Sequence, residues 1–73
     1  MSEKYDIKHI GKNIKYLRKN ILKMTQEEFS EKTDLSKDTI SNIERGKYHP
    51  NIQTLVNISN VTDTTVDYFL KKR

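Results

Sequence analysis

Between Thr25 and Gly46 the chain reads TQEEFSEKTDLSKDTISNIERG, and two helix starts and two helix stops fall inside that one stretch. Thr25 is followed three residues later by Glu28. A hydroxyl and a carboxylate at this spacing can cap each other's orphan amides, which predicts a helix beginning just after Thr25. Glu27 and Glu28 also suit the positive end of that helix dipole. Asp34 sits where the chain must turn, Ser36 is a second N-cap, and Gly46 is the residue best able to take a left-handed stop. Two short helices joined by a tight turn follow, a helix-turn-helix layout. Neither helix can bury its apolar side alone, so the rest of the chain has to supply a core for both.

The second helix of the unit, Ser36 to Arg45, divides by angle. At about 100° per residue, Lys37, Asp38, Ser41, Asn42 and Arg45 share one outward arc of about 140°, while Thr39, Ile40, Ile43 and Glu44 fall on the other side. Glu44 is therefore a charge on the inward edge, costly there without a partner. Arg18, next to the apolar Leu17, is the expected partner, because a guanidinium can hold a carboxylate through two bonds.

The remaining segments read as helices that build this core. Ile7, Ile10, Ile14, Leu17 and Ile21 recur at steps of three and four, predicting one buried stripe on a helix of about four turns. Lysines 8, 12, 15, 19 and 23 lie off the stripe, facing water or phosphate. Gly11 interrupts it at a cost of about 1 kcal/mol against alanine, which implies that another helix crosses closely there. The segment from Asn20 to Lys23 ends this helix without a glycine, and Asn20 is the expected left-handed residue. Met24 is placed to staple the next helix to the core, and Ser30, being small, permits close approach of the two helices of the central unit. Beyond Gly46, Pro50 and the N-cap Asn51 open a fourth helix carrying Ile52, Leu55, Val56, Ile58 and Val61. Asp63 to Thr65 make a turn and cap for a short fifth helix with Val66, Phe69 and Leu70, and Asp67 in its first turn.

Length and composition agree with this plan. Seventy-three residues make room for one domain, expected at 6–70 with short tails at 1–5 and 71–73. The fold class expected is all-α, a compact five-helix bundle. Cysteine is absent, which excludes disulfides and thiolate metal sites and suits a reducing cytoplasm. Without an apolar run long enough for a membrane helix or a secretory leader, a cytoplasmic protein with no membrane partner is expected. The net charge of +4 is patterned: residues 1–23 hold seven basic and two acidic groups, residues 24–35 one and four. Such a chain favours polyanions, although lysine-rich helix faces are also compatible with simple solvation.

These residues resemble the Cro/C1-type helix-turn-helix family, that of phage repressors and many small bacterial regulators. IGKNIKYLR, the run TQEEFSEKTDLSKDTISNIERGKYHPN, and LVNIS followed by VDYFL carry the likeness, from about Ile10 to Leu70. The chain departs from the family pattern at Ser30 (usually Ala) and Asp34 (usually Gly). The segment from Arg18 to Gln26 is also one residue longer and lacks the glycine often found there. The resemblance implies a lambda-repressor-like fold in which helices 2 and 3 form the helix-turn-helix. It implies sequence-specific binding of double-stranded DNA by a transcriptional regulator, a repressor foremost, reading the major groove with helix 3. Gln26 matches a phosphate-holding position, Lys37, Asp38, Ser41 and Asn42 match base-reading positions, and Arg45 and Lys47 match backbone-touching positions. The Arg18–Glu44 pair is likewise a feature of the family.

Side-chain chemistry is compatible with those roles. Lys37 can donate to guanine O6 or N7, and Asn42 can bridge adenine N6 and N7. Asp38 either accepts from cytosine N4 or serves the helix dipole and orients Lys37. Ser41 is a small adaptable contact. His9 and His49 lack ligand-spaced neighbours, so no metal is expected, and neither a cofactor nor an enzyme activity is expected in the absence of a nucleophile and base constellation. His49 reads as a loop residue near phosphate, and Tyr16 and Tyr68 as edge-of-core or interface residues. One such unit reads few base pairs, so the family logic is a homodimer on a pseudo-palindrome, with Val66, Tyr68, Phe69 and Leu70 as the expected dimer surface. No sensor domain is expected, leaving regulation to abundance, cooperativity or an unidentified protein co-regulator. The alternative is a protein-interaction module, such as an antitoxin-like partner binder, in which DNA contact is secondary; the short tail after helix 5 favours the regulator.

Overall fold

A computed structural model describes residues 6–71, and within them the chain forms five α-helices and no strand. They are α1 (Ile7–Tyr16), α2 (Gln26–Thr33), α3 (Lys37–Glu44), α4 (Ile52–Thr62) and α5 (Val66–Leu70). None is long and apolar enough to cross a membrane. Every helix start carries a side-chain cap: Asp6, Thr25, Ser36, Asn51 and Thr65 each accept a backbone N–H from inside the first turn. At Thr25 the capping box is complete, with Glu28 N donating to Thr25 Oγ1 at 3.1 Å and Thr25 N to Glu28 Oε1 at 2.8 Å. The stops of α2, α3 and α4 are left-handed residues, Asp34, Gly46 and Asp63. Behind each, one backbone bond closes the end, from Leu35 N to Ser30 O, Lys47 N to Asn42 O and Thr64 N to Ser59 O.

The end of α1 differs from expectation. The helix does not finish at Asn20 but widens into a π-helical turn over Leu17–Ile21, with Leu22 N donating to Leu17 O at 2.8 Å. The left-handed residue is Lys23, at φ 55°, after which Met24 N donates to Arg18 O at 2.9 Å. Packing explains the choice. Leu22 and Met24 both pack against the core, so the chain reverses at the exposed residue between them, although a left-handed lysine costs about 1 kcal/mol or more. The longer Arg18 to Gln26 segment coincides with this wide turn.

Nine side chains form the core: Ile10, Ile14 and Leu17 from the first helix and its wide turn, Phe29 from α2, Ile40 and Ile43 from α3, Leu55 and Ile58 from α4, and Phe69 from α5. Each such side chain contributes about 1.5–3 kcal/mol when removed from water. Helix α3 packs against both α1 and α2, and the frame closes through contacts of α1 with α5, α2 with α4, and α4 with α5. Gly11 is where α1 meets α3: a Cβ there would collide with the carbonyl oxygen of Ile43. Helix α3 is thus held to α1 backbone to backbone.

Of the residues expected in the core, Ile7, Val56 and Val61 are only partly buried and two lie outside. Ile21 is 54% and Ile52 66% exposed, because the wide turn rotates the first off the stripe and Ile52 opens α4 at its solvent end. Ser59 and Thr62 are buried on α4 instead, their hydroxyls donating to Val56 O and Ile58 O on the same helix.

Candidate nucleic-acid interface

The candidate interface centres on α3, whose two faces separate as the angular reading placed them. Ile40 and Ile43 are fully buried, Lys37, Asp38 and Arg45 are exposed, and Ser41 and Asn42 are half-buried. Among the described residues, the side chains of Lys37, Asp38, Ser41, Asn42 and Arg45 make no hydrogen bond or ion pair within the chain. Their donors and acceptors are free for something else. Ser36 caps α3 through its Oγ, which accepts from Thr39 N at 3.0 Å, so the first turn carrying Lys37 and Asp38 is fixed in direction. At the other end, the Gly46 turn delivers the exposed Lys47, Tyr48 and His49 to the α3–α4 loop, anchored by the fully buried Pro50. His49 Nδ1 lies 3.0 Å from Pro50 O.

Glu44 is the hinge of the site's scaffold. Its carboxylate accepts Arg18 Nε on Oε2 at 2.6 Å and Arg18 Nη2 on Oε1 at 2.9 Å. The remaining guanidinium nitrogen, Nη1, donates to Met24 O at 2.8 Å. With side chains only 8% and 3% exposed, the pair is buried, and a buried charge pair holds only when its donors and acceptors are satisfied. One partner was not legible in the sequence: Gln26 Nε2 also donates to Glu44 Oε1, at 3.0 Å. That bond uses one of the two amide hydrogens of Gln26 and leaves the other available at the N-terminus of α2.

The expected dimer residues do not behave as one patch. Phe69 is fully buried in the core and stacks edge-on against Tyr68, with ring centroids 5.7 Å apart. It is therefore spent inside this chain and cannot serve a partner, whereas Val66, Tyr68 and Leu70 are half-buried. The short α5 needs Phe69 as its anchor, because its other core-side residues reach only the edge. Asn13, which sequence reasoning missed, secures the same helix: its Nδ2 donates to Phe69 O at 2.9 Å and Lys71 O at 2.7 Å. Asn57 does the equivalent for α2, donating to Thr33 O at 2.6 Å. Tyr16 is 55% exposed beside His9, Lys12, Asn13 and Tyr68 around one surface cavity.

Capped helices at both ends of a tight turn, a buried ion pair behind them and a free polar arc in front define a helix-turn-helix protein. Comparison with known proteins says the same. The Helix-turn-helix family profile matches residues 14–69, and the chain belongs to this family in its Cro/C1-type form. The HTH-type transcriptional regulator YqaE of Bacillus subtilis strain 168, itself uncharacterized, is 37% identical over 61 residues, covering 84% of this chain and 52% of YqaE. The HTH-type transcriptional regulator ImmR of the same organism is 35% identical over 63 residues, covering 86% of this chain and 49% of ImmR. The chain thus spans about half the length of these curated relatives. Among solved structures, the DNA-binding domain of the P22 C2 repressor superimposes with a TM-score of 0.75 at 28% identity, covering 97% of this chain and 87% of that one.

Proposed function

We propose that the chain is a sequence-specific reader of double-stranded DNA in transcriptional regulation, acting as a repressor. The observation that carries this reading is the α3 arc: Lys37, Asp38, Ser41, Asn42 and Arg45 hold free polar groups on a helix whose opposite face is locked into the core. An α-helix fits the major groove, where each base pair shows a distinct donor and acceptor pattern. Lys37 and Asn42 read bases, with Ser41 beside them; Asp38 either reads cytosine or orients Lys37. Gln26, Arg45 and Lys47 hold phosphates and set the register, which carries no sequence information itself. The P22 C2 repressor fragment, described as a DNA-binding domain, supports this assignment by its likeness in fold and sequence.

A homodimer on a pseudo-palindrome completes the proposal, with α3 helices about 34 Å apart. Val66, Tyr68 and Leu70 supply the surface. Sedimentation at high micromolar concentration checks the dimer, and a monomer there rejects it. The reading as a whole is tested by competition between a selected duplex and scrambled duplexes across a salt series. Strong sequence preference with a steep fall in affinity is expected, and affinity that ignores both rejects the proposal.

A further inference from the structure

A surface cavity of about 400 Å³ lies where α1 meets α5, lined by His9, Lys12, Asn13 and Tyr16 from α1 and by Tyr68 from α5. Its size falls within the range of small-molecule sites. No residue of the α3 arc lines it, so the DNA-reading proposal leaves it without a use.

Asn13 is the informative member. The residue is only 5% exposed, and its Nδ2 is spent on α5, donating to Phe69 O and Lys71 O with Tyr68 O at 3.3 Å. Three carbonyls around that atom fix it as the nitrogen, so the other terminal atom is the acceptor Oδ1. Among the described residues no donor reaches Oδ1, yet no side-chain oxygen sealed from solvent lacks a partner. Oδ1 therefore holds a small accessible area, and the cavity is the surface that Asn13 lines. An acceptor on so deeply buried a residue calls for a donor from whatever fills the cavity.

The walls add two requirements. Tyr16 is 55% exposed and Tyr68 is held edge-on by Phe69, so one ring from each helix offers flat apolar surface. Lys12 has no carboxylate partner within the described chain, while Asp6 is occupied as the α1 cap and against His9 Nδ1 at 3.4 Å. Lys12 is thus the unpaired charge on the cavity wall. From these features we infer that the cavity is a binding site for a small aromatic acid that also carries a hydrogen-bond donor. The ring lies against Tyr16 and Tyr68, the donor meets Asn13 Oδ1, and the carboxylate meets Lys12. Such a ligand bridges α1 and α5, so occupancy tightens the docking of the short α5 without touching α3.

The probe is para-hydroxybenzoate, added to the full chain and followed by amide NMR shifts and thermal unfolding. Saturable shifts confined to α1 and α5 are expected, with half-saturation near the millimolar range that so small a ligand can reach. The melting temperature should climb with ligand concentration. Benzoate lacks the donor and para-cresol lacks the charge, and each should bind about three- to tenfold more weakly. Lys12→Gln, an exposed substitution, should erase the advantage of para-hydroxybenzoate over para-cresol and leave para-cresol binding unchanged. The donor is removed from the ligand because Asn13 itself also anchors α5. Shifts that never saturate, or that scatter over the lysine-bearing surface, show adventitious anion binding only and overturn the site. Benzoate binding as tightly as para-hydroxybenzoate overturns the role given to Asn13 Oδ1.

Discussion

Gln26 donates its side-chain amide to the same carboxylate oxygen of Glu44 that Arg18 Nη2 holds, at 3.0 Å. The residue assigned to a phosphate and the buried ion pair are therefore one network. Glu44 fixes the direction of Gln26, so in the proposed reading it orients a phosphate contact as well as supporting the fold.

Comparing removal of one partner with replacement of both separates these two duties. Glu44→Ala leaves the Arg18 charge buried and unpaired, and a loss of about 3–5 kcal/mol in unfolding free energy is expected from urea titration. Replacing both, as Arg18→Met with Glu44→Leu, is expected to be near neutral for stability. DNA affinity should still fall in that double variant, because Gln26 has lost its holder. Full affinity in a stable double variant would show that Gln26 needs no orientation.

The crossing of α1 and α3 makes Gly11 a sharp test of the packing. In a free helix Gly→Ala gains about 1 kcal/mol. Here the new methyl meets the Ile43 carbonyl, which is backbone and cannot step aside. A net loss of about 1–3 kcal/mol is expected on thermal or urea unfolding. A stabilised variant would mean the two helices are not in contact at that point.

Asn13 ties α5 to α1 by donating to carbonyls at the end of α5. Asn13→Ala leaves buried acceptors without their donor, costing about 1–3 kcal/mol. Hydrogen exchange should report the loss most strongly in α5, with α2 and α3 protected nearly as before. Uniform loosening of all helices would instead make Asn13 a general core residue.

Readers and positioners are distinguished by how their removal is felt. Asn42→Ala should cost about 1–3 kcal/mol at one base position and relax preference there. Lys47→Ala should weaken all duplexes alike and lower the salt slope by about one. Identical behaviour of the two variants contradicts the division.

What the sequence makes legible is local chemistry. The Thr25–Glu28 box, the Ser36 and Asn51 caps, the left-handed Asp34 and the Gly46 stop all depend on neighbours within a few residues, and the structure shows each in place. The Arg18–Glu44 contact was also within reach, because helical periodicity put a charge on an inward edge. What could not be read depends on distant partners. Asn13 and Asn57 look like ordinary polar residues until the carbonyls of α5 and α2 are brought to them. Lys23 takes the left-handed turn against its own preference because Leu22 and Met24 on either side are drawn to the core. Phe69, an apparent interface residue by hydrophobicity, is drawn fully into the core with α5.

The most direct measurement of the central proposal is selection of bound duplexes from a random pool by the intact chain. The expected result is a two-fold related pair of short half-sites, centred about 34 Å apart, whose enrichment at one position is lost with Asn42→Ala. A pool with no enriched sequence, or an enriched site indifferent to every residue of the α3 arc, would contradict it.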